Sequence, residues 1–224
     1  MRSVRGILLD LDGTVADSID FFYGLTCEVL SELRADLPTR ADVLHSIAMG
    51  IPPTTRFLPA DFPDRDGFLH RLYAERWTEW IARYGAEVEP LPGACEAVEA
   101  LYRRGLRIAL VTSSSGGLPF LDRWQIRKFF SAIVNREAVR NIKPHPEPLL
   151  SGLVQIGMEP SDVLSVGDSP IDARAGRAAG VVTVGVLTGA GTEEQLRAEG
   201  VEIVLASVAC LPGFLERQAE EILS

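Results

Sequence analysis

The 224 residues include 46% apolar and 24% charged side chains, a globular mixture long enough to bury a sizeable core without staples. Lys and Arg total 22 against 31 Asp and Glu, and the resulting net charge of −9 argues against non-specific binding to nucleic acid or to anionic membranes. Phosphate ligands stay open, because a bound metal can reverse the sign of a site locally.

The N-terminal apolar run, GILL, is four residues long before Asp10, too short for a signal peptide or a membrane span. It reads as a first strand, residues 6–11. Residues 18–34 are helical in pattern, and residues 39–50 form a second helix with Thr39 as its expected N-cap. Residues 51–66 are proline-rich and are expected to be a loop. Residues 68–85 put Phe68, Leu69, Leu72, Tyr73, Trp77, Trp80, Ile81 and Tyr84 on one broad face, which predicts helix packing. No strand is expected between Asp17 and about Pro90.

After Pro90 the pattern changes. Helical stretches at 92–105, 145–157 and 169–180 end in Gly105, Gly157 and Gly180, as helix C-termini often do. Between and after them lie short apolar runs at 106–112, 131–135, 162–168, 181–186 and 201–206. Near-continuous apolarity in such short strands predicts burial on both faces, as in a parallel sheet. The expected fold is therefore a doubly wound α/β core, residues 1–16 and 91–224, with an all-helical insert at 17–90. The three cysteines, Cys27, Cys95 and Cys210, form no CxxC pair and no even set, so reduced thiols in a cytoplasmic chain are expected.

Four polar motifs stand at or near the strand ends. Asp10-Leu11-Asp12-Gly13-Thr14 closes the first run. Residues i and i+2 of a strand face the same side, so the two carboxylates could share one site, and they repel unless a proton or cation lies between them. Oxygen donors alone suit a hard cation such as Mg²⁺. Gly13 would let the chain turn sharply beside a ligand. A plain turn after an edge strand is the competing reading. The Ser/Gly run from Thr112 through Ser113 to Gly117 follows the second run; its hydroxyls and amides suit phosphate oxygens or, alternatively, cap a helix. Lys143, before Pro144, would bring a fixed ammonium. Asp168 follows the fourth run and would complete a metal site with the first pair, unless it caps the next helix. Asp172, a turn later, would orient Lys143 or stand behind the metal ligands. In a parallel sheet all these ends lie on one side.

DLDGT (10–14), VTSSS (111–115), Lys143 in KPHPEP and GDSPID (167–172) together resemble the haloacid dehalogenase superfamily in order and spacing over most of the chain. The insert looks like that family's small helical cap, and residues 175–189 resemble members related to phosphoglycolate phosphatase. The resemblance implies an Mg²⁺-dependent phosphatase acting on a small phosphorylated metabolite. Asp10 would attack phosphorus and Asp12 would serve as acid and then base. Thr112 and Lys143 would bind the transferring phosphoryl group, with Gly13 and Ser113 lining its site. The metal would be held by Asp10, the main-chain carbonyl of Asp12, and Asp168.

The resemblance also brings rivals. Asp12 argues against the dehalogenase branch, and an insert without lysine argues against the phosphonate-cleaving branch. Sugar-phosphate mutases of the β-phosphoglucomutase type share DxDG, and GGLPFL (116–121) looks like theirs. They carry a histidine in the first cap helix, whereas the first histidine here is His45. A phospho-acceptor signalling or binding module is the non-enzyme alternative. His45 and His70 are expected to be partly exposed on insert helices, His145 to contact a helix start, and Arg56 is the insert's best candidate for touching a substrate anion.

Overall fold

The computed structural model describes residues 4–85, 87–114 and 119–223. The chain begins with β1 (Gly6–Leu9) and β2 (Ala16–Asp17), then passes through α1 (Ile19–Glu32), α2 (Arg40–Ala48), α3 (Pro53–Arg56) and α4 (Arg65–Tyr84). It returns through β3 (Glu89–Pro90), α5 (Ala94–Arg103), β4 (Arg107–Val111), α6 (Pro119–Arg123) and β5 (Ala132–Val134). It closes with α7 (Glu147–Ile156), β6 (Val163–Gly167), α8 (Pro170–Ala179), β7 (Val182–Val186), α9 (Glu193–Ala198), β8 (Ile203–Leu205) and α10 (Leu211–Leu223).

All six predicted strands form. They pair in parallel as one sheet of order β5-β4-β1-β6-β7-β8. Burial on both faces explains their continuous apolarity. Side chains alternate, so Ile7 and Leu9 of β1 join Ile108, Leu110, Leu164 and Val166 on one face, under α5 and α10. Leu8 points the other way and packs with Ala109 and Val111 against Leu149, Leu153 and Ile156 of α7. The chain goes from β1 to β4 and β5 on one side, then crosses back to β6 on the other. The carboxyl ends of β4, β1 and β6 are thereby neighbours at the point where strand order reverses, where open α/β sheets bind ligands.

The insert packs a core of its own. Leu25 and Val29 of α1 meet Leu72 and Trp80 of α4, with Phe68 and Ile81 partly buried beside them. Arg76 reinforces this contact, donating to Glu28 and Glu32 at 2.5–2.9 Å, while Trp80 Nε1 donates to Glu28 at 3.1 Å. The expected side chains of Leu69, His70, Tyr73, Trp77 and Tyr84 lie outside the described residues. Thr39 caps α2 as expected: its hydroxyl accepts from Asp42 N, and Asp42 accepts from Thr39 N.

Two expectations about the insert need correction. Residues 51–66 are not one loop, because they contain α3 and the start of α4. Pro53 stands in the first turn of α3, where the missing N–H has no helical partner to lose. The insert's ends also carry strand structure: Ala16 and Asp17 pair antiparallel with Pro90 and Glu89. Among the described residues, no helix is long and apolar enough to cross a membrane. The three cysteines are free.

Candidate active site

Asp10 extends β1 by one ladder bond, its N–H donating to Val166 O at 2.9 Å, and its carboxylate is buried. Lys143, on the segment before α7, reaches the same point. Its ammonium donates to Asp10 Oδ1 at 2.5 Å and to Asp172 Oδ1 at 2.6 Å, and it is itself only 4% exposed. Asp172 therefore orients Lys143 as the sequence suggested. Its second oxygen accepts from both the N–H and the hydroxyl of Ser169 at the start of α8. The acidic residue serving that helix start is thus Asp172, which removes the competing reading of Asp168 as a cap.

Asp168, after β6, accepts from Ala190 N–H at 2.7 Å and from the Thr14 hydroxyl at 3.4 Å. Asp10, Asp168 and Asp172 each bring one carboxylate oxygen within 4.8 Å of the others. Three carboxylates thus share one ammonium. Burial pushes Asp10 well above the ordinary carboxylate range; Lys143 opposes this, and the neighbouring aspartates add to it. Burial, helped by Asp172, pushes Asp168 up to about 7 against the Ala190 N–H. Lys143 loses hydration by burial, yet its two carboxylates more than offset this and hold it above the usual lysine range.

Asp12 faces different partners. The strand stops at Leu9, Gly13 takes φ +75°, and the chain turns so that Thr14, Val15 and Ala16 N–H all donate to Leu11 O. The Asp12 carboxylate is not among the three clustered acids, yet its charge adds to the upward shift of Asp10. Hydroxyls surround it instead. Ser18 donates to Oδ1 at 2.8 Å, while Thr112 at 3.2 Å and Ser114 at 2.5 Å donate to Oδ2. Ser18 stands at the N-cap of α1 but makes no side-chain cap bond, because its hydroxyl is committed to Asp12. Thr112 follows β4, with its N–H bonded to Val134 O. The Ser113 hydroxyl is buried without a protein partner. Ser115, Gly116 and Gly117 lie outside the described residues.

A fourth strand end adjoins the site, and the sequence reading passed over it. After β7, Thr188 donates its hydroxyl to Gly13 O at 2.7 Å, and Gly191 N–H donates to Asp168 O at 3.0 Å. A Cβ on Gly189 would overlap the Asp168 carboxylate. The signal was the small-residue run TGAG directly after an apolar strand. His145 accepts from Glu147 N at 3.1 Å at the start of α7, as expected, and His45 and Arg56 are exposed on the insert.

Comparison with known proteins agrees with this architecture. The family model of haloacid dehalogenase-like hydrolases matches residues 7–186. A phosphoglycolate phosphatase from Salmonella paratyphi A is 34% identical over 215 residues, covering 84% of this chain and 83% of that protein. A haloacid dehalogenase-like hydrolase from Bacteroides fragilis superposes with TM-score 0.84 at 24% identity, covering 93% of this chain and all of the other. A β-phosphoglucomutase from Clostridium difficile superposes at 0.79 and 19% identity, covering 99% of this chain and 100% of the other, a likeness of fold. The matched span takes in the ends of β1, β4, β6 and β7 and Lys143, and the chain belongs to the haloacid dehalogenase-like hydrolase family.

Proposed function

We propose that this chain is an Mg²⁺-dependent phosphatase that hydrolyses a small phosphate monoester through an aspartyl-phosphate on Asp10. One observation carries the reading. Asp10 and Asp12 are two residues apart, yet one carboxylate sits in a buried acid–ammonium cluster and the other among three hydroxyls. Two chemically separate carboxylates at one strand end suit two different tasks.

In this mechanism an Asp10 oxygen attacks phosphorus while the ester P–O bond breaks. The leaving alcohol takes a proton from Asp12. Asp12 then accepts a proton from water as that water attacks phosphorus. The acyl-phosphate P–O bond breaks, and free phosphate and the Asp10 carboxylate are restored. A covalent intermediate splits one very slow hydrolysis into two easier steps. Lys143 reduces the repulsion between the Asp10 carboxylate and an anionic ester. Thr112, and Ser113, whose hydroxyl has no partner among the described residues, would supply donors to the phosphoryl oxygens.

The acid cluster fits a hard cation. Its donors are all oxygens, and burial, with repulsion from Asp172 behind it, raises Asp168 to about 7, a cost to the charged form that a cation would relieve. Asp10, Asp168 and the main-chain carbonyl of Asp12 would hold Mg²⁺, which would supply positive charge against the phosphoryl oxygens.

The helical insert, residues 17–90, would act as a cap on a core of 1–16 and 91–224. The turn after α2 supports this placement: a Cβ on Gly50 would lie 2.8 Å from Ile171, beside Asp172 on α8. A phosphoglycolate-like substrate follows from the 34% identical relative. The test is phosphate release from a panel including phosphoglycolate, β-glucose 1-phosphate and p-nitrophenyl phosphate, with Mg²⁺ and with chelator. Metal-dependent release from at least one ester is expected, and no release from any would overturn the reading. Glucose 6-phosphate in place of free glucose would point to a mutase.

A further inference from the structure

The insert joins the sheet through two crossings, and these are secured differently. The first, Asp17–Ser18, is tied to the site through the Ser18–Asp12 bond. The second runs from the end of α4 to β3, and the Arg123 side chain grips it. Arg123, the last residue of α6, donates to Gly85 O at 3.2 Å and, more closely, to Val88 O. It also lies 3.5 Å from the Glu89 carboxylate. Gly85 is the C-cap of α4, so the guanidinium meets the end of a 20-residue helix where carbonyls lack helical partners and the helix dipole favours a cation. The partly exposed Glu89 pair adds little by itself, while the two carbonyl bonds fix direction.

Arg123 is well founded on the sheet side. Its guanidinium carbon lies 6.0 Å from the Trp124 ring centre, and Trp124 packs on Phe120 at 4.9 Å within the core cluster. Opposite, the linker has room. A cavity of about 570 Å³ has Asp17, Asp20 and Glu28 on one wall and Glu87 and Val88 on the other. Without Arg123, the second crossing keeps its two-residue pairing with β2 and the buried Val88 side chain, but loses the described side-chain bonds to its Gly85 and Val88 carbonyls.

We propose that Arg123 is a positioning residue that sets the resting angle of the helical insert over the Asp10 centre by clamping the second crossing. The clamp is a matter of geometry; its kinetic consequence rests on the phosphatase reading. On that reading the phosphoryl-transfer groups stand at the strand ends and on the segment before α7, and the insert would supply the leaving-group contacts. Loosening the clamp therefore spares the chemistry and weakens the grip on the alcohol.

The test compares Arg123→Ala, Arg123→Gln and Arg123→Lys with the wild type, each checked for an intact fold by circular dichroism. Hydrogen exchange should speed up by at least about tenfold at residues 85–90 in Arg123→Ala, with β1, β4 and β6 unchanged. KM for phosphoglycolate should rise by about 5- to 20-fold, while kcat for p-nitrophenyl phosphate stays within about twofold. Arg123→Lys, which keeps the charge and a donor, should recover part of the loss, and Arg123→Gln less. Unchanged exchange at 85–90, or an equal kcat loss on both esters, would overturn the clamp. Should the wild type hydrolyse no ester of the panel, the phosphatase reading fails, and exchange at 85–90 alone decides the clamp.

Discussion

On the phosphatase reading Asp12 is the residue on which the mechanism would turn, and its carboxylate has partners of its own. Its carboxylate accepts from Ser18, Thr112 and Ser114 and stays outside the cluster of Asp10, Asp168 and Asp172. An asparagine there has the same shape and keeps an oxygen to accept those hydroxyls, but it can neither give nor take the proton. Asp12→Asn should therefore leave the melting temperature and Mg²⁺ affinity near wild type while lowering turnover by about 10²–10⁴, the usual contribution of a positioned acid–base group. Steady-state kinetics beside a calorimetric Mg²⁺ titration checks both halves, and unchanged turnover would remove Asp12 from the mechanism. The same separation was not legible from spacing. Alternation places i and i+2 together only while a strand continues, and this strand ends at Leu9.

At the level of elements, the turn after β1 depends on Gly13. Its φ of +75° is costly for other residues, and a Cβ would lie 2.8 Å from the Gly189 Cα and 2.9 Å from Asp168 Oδ2. Gly13→Ala should cost about 1–2 kcal/mol from backbone conformation alone, with further loss from displacing the loop after β7. Chemical denaturation measures the first. A weaker Mg²⁺ affinity would report the second, because Asp168 is the group displaced. The sheet was readable because six apolar runs buried on both faces have no other economical arrangement. The loop Thr188–Gly191 was not, since it works through two N–H groups, one hydroxyl and a missing Cβ. α3 was hidden for a related reason: Pro52 and Pro53 read as breakers, although proline suits the first turn of a helix. The helix α10 had drawn no reading at all, yet Leu211 and Leu215 close one face of the core.

For the whole molecule, the acid cluster carries a cost that a bound cation would offset. Asp10 and Asp168 both have their folded-state affinity for protons raised, Asp168 to about 7, while in an unfolded chain each would titrate near the ordinary value of 3.8. Between those limits the folded protein holds more protons than the unfolded one, so stability falls as pH rises. The contribution is whole below about pH 4 and is lost as pH passes through about 7. Lys143 does not counter this trend, because its proton is held more tightly than usual and stays on throughout. A divalent cation binding the ionised carboxylates competes with those same protons. The share of its affinity that comes from displacing the Asp168 proton should rise with pH by up to about tenfold per unit below pH 7 and level off above it. Because a ligand that binds only the folded state stabilises it by an amount that grows with the logarithm of its affinity, the gap in melting temperature between Mg²⁺-loaded and chelator-treated protein should widen from pH 5 to about pH 7 and then level off towards pH 8. Scanning calorimetry across that range measures the gap directly. A constant gap would mean that the bound cation does not meet the protons of Asp168, and would place the metal outside the cluster at the end of β1 and β6.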